Sequence, residues 1–275
     1  MSLYARDYPA ATGQAKLPVV CLHGLTRNSS DFEDVAPVLA SFGRRVIVPD
    51  VRGRGRSQWD ENSDNYVPRI YARDVIEMLN ELGIGRAVFI GTSMGGIIMM
   101  MLAIRHRNRI AAAILNDVGP EVSPEGLARI QSYAGTPVEL RNWADAVSYV
   151  RNINGAALPH LRSKDWVRFA ERSFERTGGL PKLRYDPGIA GPLKAGKAKA
   201  PKLVAWFLYR RLARACPTLI VRGETSDILS EITAQKMVAA SPRARLVEVP
   251  GVGHAPMLDE PASKAALESF LQEVA

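Results

Sequence analysis

The sequence predicts an α/β fold in which a doubly wound, mostly parallel sheet carries an inserted helical segment. Short apolar runs of strand length alternate with amphipathic helical stretches, which is the pattern of a parallel sheet covered by helices. This alternation stops near residue 120 and resumes near residue 216. With 275 residues the chain is long enough for one large domain with an insertion. We therefore predict a core of residues 1–119 and 216–275 and a helical cap of residues 120–215.

Buried strands are predicted where apolar runs of four to eight residues occur. They lie at 17–23, 45–49, 86–90, 110–116, 217–222 and 245–249, and residues 2–11 form an edge strand or hairpin. Helices are predicted at 31–42, 66–82, 97–103, 126–133, 143–152, 164–175, 202–213, 230–240 and 261–274. Residues 188–201 are rich in Gly, Ala, Pro and Lys, which is typical of a mobile loop.

The composition is that of an ordinary globular protein. We expect it to use neither a metal nor an organic cofactor. Cys21 and Cys216 fall inside or beside predicted strands, which favours small buried side chains over a disulfide or a metal pair. No apolar stretch has the length of a membrane span. The first residues lack the pattern of a signal peptide, so we expect a cytoplasmic protein, either monomer or homodimer.

Positive charge is concentrated in one part of the chain. The net charge is +8, and residues 120–215 contain 17 Lys and Arg against 8 Asp and Glu. This imbalance is typical of a solvated basic face, and a second interpretation is recognition of an anionic substrate or surface. We expect a small-molecule substrate and no nucleic acid.

A serine between a predicted strand and a predicted helix is the main functional signal. The segment 91–95 reads Gly-Thr-Ser-Met-Gly, with Ser93 at its centre. A sharp strand-to-helix turn exposes such a serine hydroxyl, and the two glycines leave room where strand and helix approach. The following helix N-terminus offers the free amide of Met94 to an oxyanion.

A second amide is predicted at the end of the first buried strand. That strand ends in His23-Gly24, and the chain then turns over the sheet, so the amide of Leu25 is a candidate oxyanion donor. We expect His23 to hold this loop. The glycine-rich segment 50–57 lacks the glycine spacing of a dinucleotide site and the lysine of a P-loop, so we interpret it as a structural turn.

Three residues with the chemistry of nucleophilic catalysis each follow a predicted strand. These are Ser93, Asp227 and His254. Because the carboxyl ends of parallel strands meet at one edge of a sheet, we expect them to converge there. Asp117 follows the preceding strand and is a second candidate for the acid.

The chain resembles the α/β-hydrolase superfamily over essentially its whole length. The resemblance rests on His23-Gly24, on the Asp-x-Arg-Gly-x-Gly-x-Ser pattern of 50–57, on the 91–96 segment, and on Asp227 and Gly253-His254. It implies that Ser93 is the nucleophile, His254 the general base and Asp227 the acid that orients it. Superfamily members commonly place the acid three residues after the strand-ending glycine, whereas Asp227 is four after Gly223. The amides of Leu25 and Met94 would form the oxyanion hole.

The implied activity is hydrolysis of a small-to-medium carboxylic ester or lactone through an acyl-serine intermediate. A serine at the turn argues against the branches that attack with an aspartate. The alternatives are a carbon–carbon bond hydrolase acting on a vinylogous diketone and a non-catalytic binding protein on the same fold. Side chains proposed for the substrate pocket are Arg27, Trp59, Trp143, Tyr149 and Trp166.

Overall fold

A seven-stranded sheet forms the centre of the molecule. The computed structural model describes residues 1–11, 16–196 and 200–274. The strand order is β1-β3-β2-β4-β5-β8-β9, with β1 antiparallel to β3 and every other neighbouring pair parallel. The strands are β1 (Ala5–Tyr8), β2 (Val19–Leu22), β3 (Val46–Pro49), β4 (Ala87–Thr92), β5 (Ile110–Asn116), β8 (Thr218–Gly223) and β9 (Ala244–Val249). A separate hairpin contains β6 (Phe174–Thr177) and β7 (Leu180–Leu183).

Helices cover both faces of this sheet. They are α1 (Val35–Ser41), α2 (Pro68–Glu81), α3 (Met94–Arg105), α4 (Pro124–Tyr133), α5 (Trp143–Asn154), α6 (Ser163–Ser173), α7 (Ala190–Lys194), α8 (Lys202–Ala215), α9 (Glu231–Ala239) and α10 (Pro261–Gln272). One buried apolar cluster joins the sheet to α2, α3 and α8, and a second joins its other face to α1, α5, α6 and α10. The doubly wound architecture expected from the alternating pattern is therefore confirmed.

The inserted segment contains structure that helical periodicity did not indicate. The helix predicted to reach residue 175 ends at Ser173, and the hairpin β6–β7 follows. Its turn is made by Gly178 and Gly179, both with positive φ angles that favour glycine. The loop predicted at 188–201 contains the short helix α7, and its residues 197–199 lie outside the described part of the chain.

Helix α8 ends the predicted cap but packs on the core. Its buried side chains Trp206, Tyr209 and Leu212 belong to the same apolar cluster as Ile98 and Leu102 of α3. The Tyr209 hydroxyl also donates a hydrogen bond of 2.7 Å to the carbonyl of Met237 in α9. We therefore propose that the cap ends before α8 and that this helix belongs to the core.

The segment 50–57 is a structural turn, as its spacing indicated. The carboxylate of Asp50 accepts the backbone N–H groups of Ser29 at 2.6 Å and Arg56 at 2.8 Å. The Arg52 guanidinium is buried and forms two hydrogen bonds of 2.5 Å to Asp74. These contacts connect the loops after β2 and β3 to each other and to α2.

The two cysteines are both buried and free. Burial raises the pKa of the Cys216 thiol to about 11, and it raises that of Cys21 as well. None of the described helices is both long and apolar enough to span a bilayer. Within residues 1–11, 16–196 and 200–274, no group of three or more His, Cys, Asp or Glu side chains could hold a metal ion.

His23 fixes the loop after β2 as a neutral imidazole. The Val51 N–H donates to its Nε2 at 3.0 Å, so the ring proton is on Nδ1 and is donated to the Gly24 carbonyl at 2.8 Å. The side chain is fully buried. Burial lowers the pKa of His23 below its ordinary value of 6.5. Protonation would place a proton where Nε2 accepts one, so both effects keep this side chain neutral.

We expect this neutral imidazole to make the fold less stable in mild acid. The unfolded His23 takes up a proton as the pH falls below 6.5, whereas the lowered pKa keeps the folded side chain neutral to lower pH, so the free energy of unfolding decreases as the pH falls through this range. Chemical denaturation of the wild type and of His23→Gln at pH 7.5 and 5.5 tests this. The variant should lose less stability between the two pH values. An exposed control, His160→Gln, should behave like the wild type, and equal pH dependence in all three proteins would contradict the assignment.

Candidate active site

Ser93 occupies a tight turn between β4 and α3. Its φ of 51° and ψ of −112° are unusual for a residue with a side chain, and they point the side chain out of the turn. A Cβ on Gly95 would collide with the Leu22 carbonyl, and one on Gly91 would collide with the backbone of Gly95 and Gly96. Only glycine therefore lets α3 approach the sheet closely enough to form this turn.

The imidazole of His254 lies between the serine and a buried carboxylate. The Ser93 Oγ is 3.1 Å from Nε2 of His254, and Nδ1 of the same ring is 2.8 Å from Oδ2 of Asp117. Because a carboxylate oxygen only accepts, Nδ1 carries the proton and Nε2 presents its lone pair to the serine hydroxyl. The three side chains follow β4, β9 and β5, so they meet at the carboxyl edge of the sheet.

Asp117 is held in one orientation by its surroundings. It is completely buried and has a φ of 55°. Its Oδ1 accepts the N–H of Gly223 at 2.9 Å, and its Oδ2 accepts the hydroxyl of Ser226 at 2.6 Å as well as the His254 ring proton. Three donors thus compensate for burying the carboxylate.

The prediction that Asp227 contacts His254 is wrong, and the alternative Asp117 takes that position. Asp227 instead accepts two hydrogen bonds, of 2.5 and 2.9 Å, from Arg129 of α4. Burial alone would raise the pKa of Asp227, but Arg129 outweighs it and the pKa is lowered. The position three residues after Gly223 holds Ser226, whose hydroxyl contacts the Asp117 carboxylate. A serine at this position was the available signal that the acid lies elsewhere.

Two contacts hold the loop that carries His254. The amide of Asn116, at the end of β5, donates to the Pro256 carbonyl at 2.9 Å and to the Thr92 hydroxyl at 3.0 Å. The Gly253 N–H donates to the carbonyl of Ala157 at 2.7 Å. The histidine loop is therefore connected both to the strand beside it and to the inserted segment above it.

The backbone around Ser93 provides two candidate donors for an oxyanion. Met94 is the first residue of α3, where an N–H has no acceptor within the helix. Gly24 lies beside the serine, since a Cβ built on it would be 3.9 Å from the Ser93 Cβ, and this brings the Leu25 peptide to the same place. The predicted pair of amides is thus compatible with the backbone.

Buried Arg54 connects both of these backbone segments. Its guanidinium is fully buried and donates to the Leu25 carbonyl at 3.0 Å and to the Tyr71 hydroxyl at 2.9 Å. It also contacts the sulfur of Met94 at 3.5 Å. The sequence pattern gave no reason to single out this residue.

A small pocket of about 120 Å³ opens above Ser93 and His254. Side chains of the inserted segment form its roof, including Ile130, Tyr133, Tyr149, Ile153, Phe169 and Tyr185. Burial raises the pKa of all three tyrosines, so they remain protonated hydrogen-bond donors. The pocket therefore combines apolar walls with a few phenol groups.

Of the five side chains predicted to line the pocket, Arg27 and Tyr149 do so and the three tryptophans do not. Trp166 is buried in the core against Phe169, and Trp143 packs under Arg176. Trp59 is 41% exposed beside Lys182. Helical spacing in the sequence identified the apolar face of each helix, but it did not show which of these faces lines the pocket.

Arg27 links the core to the roof of the pocket. Its Nε donates to both carboxylate oxygens of Asp31 at 2.9 Å, and its Nη1 donates to the Ser173 hydroxyl at 2.9 Å. The guanidinium lies 3.9 Å from the ring centre of Phe169. Its charge is therefore paired within the pocket wall.

Comparison with known proteins agrees with this architecture. The family model of the α/β-hydrolase fold matches residues 18–261. The chain belongs to the α/β-hydrolase family. This α/β hydrolase is 36% identical to a 3-hydroxybutyrate-oligomer hydrolase of Cupriavidus necator, over 92% of this chain and 87% of the relative.

Two further relatives cover almost the whole α/β hydrolase. One is a 2-hydroxymuconate semialdehyde hydrolase of a Pseudomonas species, 28% identical over 94% of this chain and 88% of the relative. The other is a crystal structure of an α/β hydrolase from Novosphingobium aromaticivorans, with a TM-score of 0.91 and 44% identity over 99% of this chain and 94% of that one.

The two candidate acids can be separated by matched amide substitutions in this α/β hydrolase. Asp117→Asn removes the acceptor of the His254 ring proton, so we expect the kcat for an ester to fall by about 10³- to 10⁴-fold. Asp227→Asn breaks the pair with Arg129 but leaves the hydrogen bond between Asp117 and His254 in place, so it should change kcat by less than about threefold. Steady-state kinetics on both folded variants tests this. A fully active Asp117→Asn enzyme would contradict the structural placement.

Proposed function

We propose that this chain is a serine hydrolase that cleaves short carboxylic esters or lactones through an acyl-serine intermediate. The observation that carries the proposal is the hydrogen-bonded chain Ser93–His254–Asp117 at the base of a pocket. The expected acid Asp227 is replaced in this role by Asp117. The family assignment adds support, because its members named above are hydrolases.

In the first half of the proposed reaction the Ser93 Oγ attacks the substrate carbonyl carbon while Nε2 of His254 takes the hydroxyl proton. Asp117 keeps the ring in the tautomer that accepts this proton and stabilises the imidazolium that results. The tetrahedral intermediate then collapses, and His254 gives the proton to the departing alkoxide. In the second half, His254 deprotonates a water molecule that attacks the acyl carbon. The second tetrahedral intermediate then collapses by breaking the bond between the acyl carbon and Ser93 Oγ, and His254 returns the proton to Oγ as the acid leaves.

The negative charge of each tetrahedral intermediate would be held by the amides of Leu25 and Met94. Each such donor contributes about 3 to 4 kcal/mol to the transition state in comparable sites. The buried guanidinium of Arg54, which contacts both residues, adds positive charge behind them. Because the Arg54 side chain is fully buried, this charge acts with little screening by water.

The pocket favours a short acyl group with polar substituents. Its volume of about 120 Å³ is well below the range of pockets that hold drug-sized ligands, which excludes a long acyl chain in this conformation. The phenol groups of Tyr133, Tyr149 and Tyr185 are suited to bind a substrate hydroxyl or carbonyl. Similarity to the oligomer hydrolase makes linear esters of 3-hydroxybutyrate the first substrates to assay.

Cleavage of a carbon–carbon bond in a vinylogous diketone is the second candidate. The relative that acts on 2-hydroxymuconate semialdehyde supports it, since that relative covers 94% of this chain. The same phenol groups would serve as proton donors to a dienol substrate. The two reactions would therefore use the same phenol groups differently. In ester hydrolysis they would bind a substrate hydroxyl or carbonyl, and in carbon–carbon cleavage they would donate a proton.

A substrate panel distinguishes the two reactions. We expect the 3-hydroxybutyrate dimer and short nitrophenyl esters to give kcat/KM values at least about tenfold above those of longer nitrophenyl esters, since the small pocket penalises long acyl chains. A ring-cleavage diketone should be turned over slowly. Rapid cleavage of the diketone together with negligible ester hydrolysis would establish the second candidate instead.

Ser93→Ala is the control for every substrate in this panel. Removing the nucleophile of a serine hydrolase lowers kcat by an amount on the order of 10⁶-fold. A fluorophosphonate probe should label the wild type at Ser93 and leave the variant unlabelled. Labelling at another residue, or ester turnover by the variant, would argue against the acyl-serine mechanism.

A further inference from the structure

A second cleft lies on the side of the sheet opposite Ser93. It encloses about 840 Å³ and is lined by five arginines, Arg86, Arg107, Arg210, Arg211 and Arg214, together with Phe207. Three of the arginines belong to α8, and the other two belong to segments that are distant from α8 in the sequence. The cleft is therefore a product of the fold and is distinct from the pocket above the serine.

The topology places this cleft at the amino edge of the strands. Arg86 directly precedes β4, Arg107 lies just before β5, and Arg214 lies just before β8. Ser93 and Asp117 follow the carboxyl ends of β4 and β5. A six-residue strand spans about 20 Å, so the arginine cleft and the serine lie on opposite edges of the sheet.

The charges of the five arginines are not balanced by carboxylates in the described part of the chain. Among the residues that the structure describes, none of the five makes an ion pair with a carboxylate. The guanidinium of Arg211 instead donates to the carbonyls of Ala103 and Ile104 at the end of α3, at 2.7 and 2.9 Å. Arg210 lies 5.5 Å from the ring centre of Trp206. The cluster therefore has a high positive potential, and two of its side chains are held in place before any ligand binds.

The exposed face of α8 continues from these arginines into apolar side chains. Leu203, Phe207, Arg210 and Arg214 follow one another at helical spacing, so they share one face. Leu203 is 85% exposed and Phe207 is 58% exposed, and the neighbouring Val204 is 45% exposed. The opposite face of α8 is buried against α3, which leaves this amphipathic face as the outer surface.

We propose that this face docks on an anionic phospholipid bilayer, with lipid phosphates bound in the arginine cleft. Guanidinium groups suit phosphate oxygens because they offer paired N–H donors in a fixed plane. The exposed Leu203, Val204 and Phe207 would enter the interfacial region beside the headgroups, as in surface-lying basic amphipathic helices. A soluble phosphate would use the arginines alone and leave these three side chains unexplained.

The proposed orientation has a consequence for the chemistry. With the amino edge of the sheet against the bilayer, the pocket above Ser93 faces the aqueous side. The bound protein would then act on substrates from solution, and its activity on a soluble ester would not require the membrane. The proposal is therefore independent of the function proposed for the serine site.

Vesicle sedimentation tests the docking. We expect the wild type to bind vesicles that contain phosphatidylglycerol and not vesicles of pure phosphatidylcholine, with binding weakened by salt. Since a basic side chain near an anionic surface contributes roughly fivefold to affinity, Arg210→Gln with Arg214→Gln should weaken binding about 25-fold. Phe207→Ser should also weaken binding, by removing the apolar contact, while keeping the charge.

A control of equal charge separates the cleft from overall charge. Arg151→Gln with Lys164→Gln removes two exposed cations from α5 and α6, far from the cleft, and should bind the vesicles like the wild type. Equal loss in both double variants would overturn the proposal, as would equal binding to both kinds of vesicle. Tripolyphosphate serves as a soluble probe: arginine-dependent binding of it without vesicle binding would replace the lipid with a soluble phosphate ligand. Ser93→Ala should bind vesicles normally, so this test does not depend on catalysis.

Discussion

The close approach of α3 to the sheet is the constraint on which the active site depends. A side chain at Gly95 would meet the carbonyl of Leu22 at the end of β2, and one at Gly91 would meet the first turn of α3 itself. This approach leaves Ser93 with a positive φ and makes Met94 the first helical residue. The same contact thus places the nucleophile and one proposed oxyanion donor, while β2 delivers the loop that contains the other. Losing either glycine would move all of these groups together.

Strand-end reasoning named all three residues of the hydrogen-bonded chain, although it placed Asp117 second to Asp227 as the acid. Buried parallel strands are continuous apolar runs, so their ends are visible in the sequence, and the strand predicted at 110–116 has the observed bounds. Ser93 and His254 each follow such a strand, and their side chains meet at 3.1 Å. The hairpin β6–β7 escaped prediction because its strands are four residues long and largely exposed. An isolated short hairpin has no apolar run that could reveal it.

The choice between the two aspartates depended on information that sequence spacing does not carry. Both follow strands, and Asp227 was preferred although it lies four residues after Gly223 instead of the usual three. The deciding feature is that β5 and β8 are neighbours in the sheet. The Asp117 carboxylate therefore accepts hydrogen bonds from the N–H of Gly223 and the hydroxyl of Ser226, both of which follow or end the neighbouring strand. A carboxylate that is fully buried needs such donors, whereas the side chain of Asp227 is 38% exposed and pairs with Arg129. Satisfying a buried charge, rather than distance along the chain, selects the residue beside His254.

The arginines of residues 120–215 fall into two groups that occupy different places in the structure and have different roles. Some of its arginines bind acidic groups of the core: Arg129 pairs with Asp227, and Arg172 pairs with Glu33 and Asp34. These ion pairs attach the inserted segment to the sheet above the serine, where their charges are already neutralised. The cleft arginines of α8 pair with none of the described carboxylates and lie at the other edge of the sheet. The three α8 arginines of the segment therefore do not face the substrate. They face whatever approaches the amino edge of the sheet, and the apolar helix face beside them favours a surface with both phosphate and hydrocarbon.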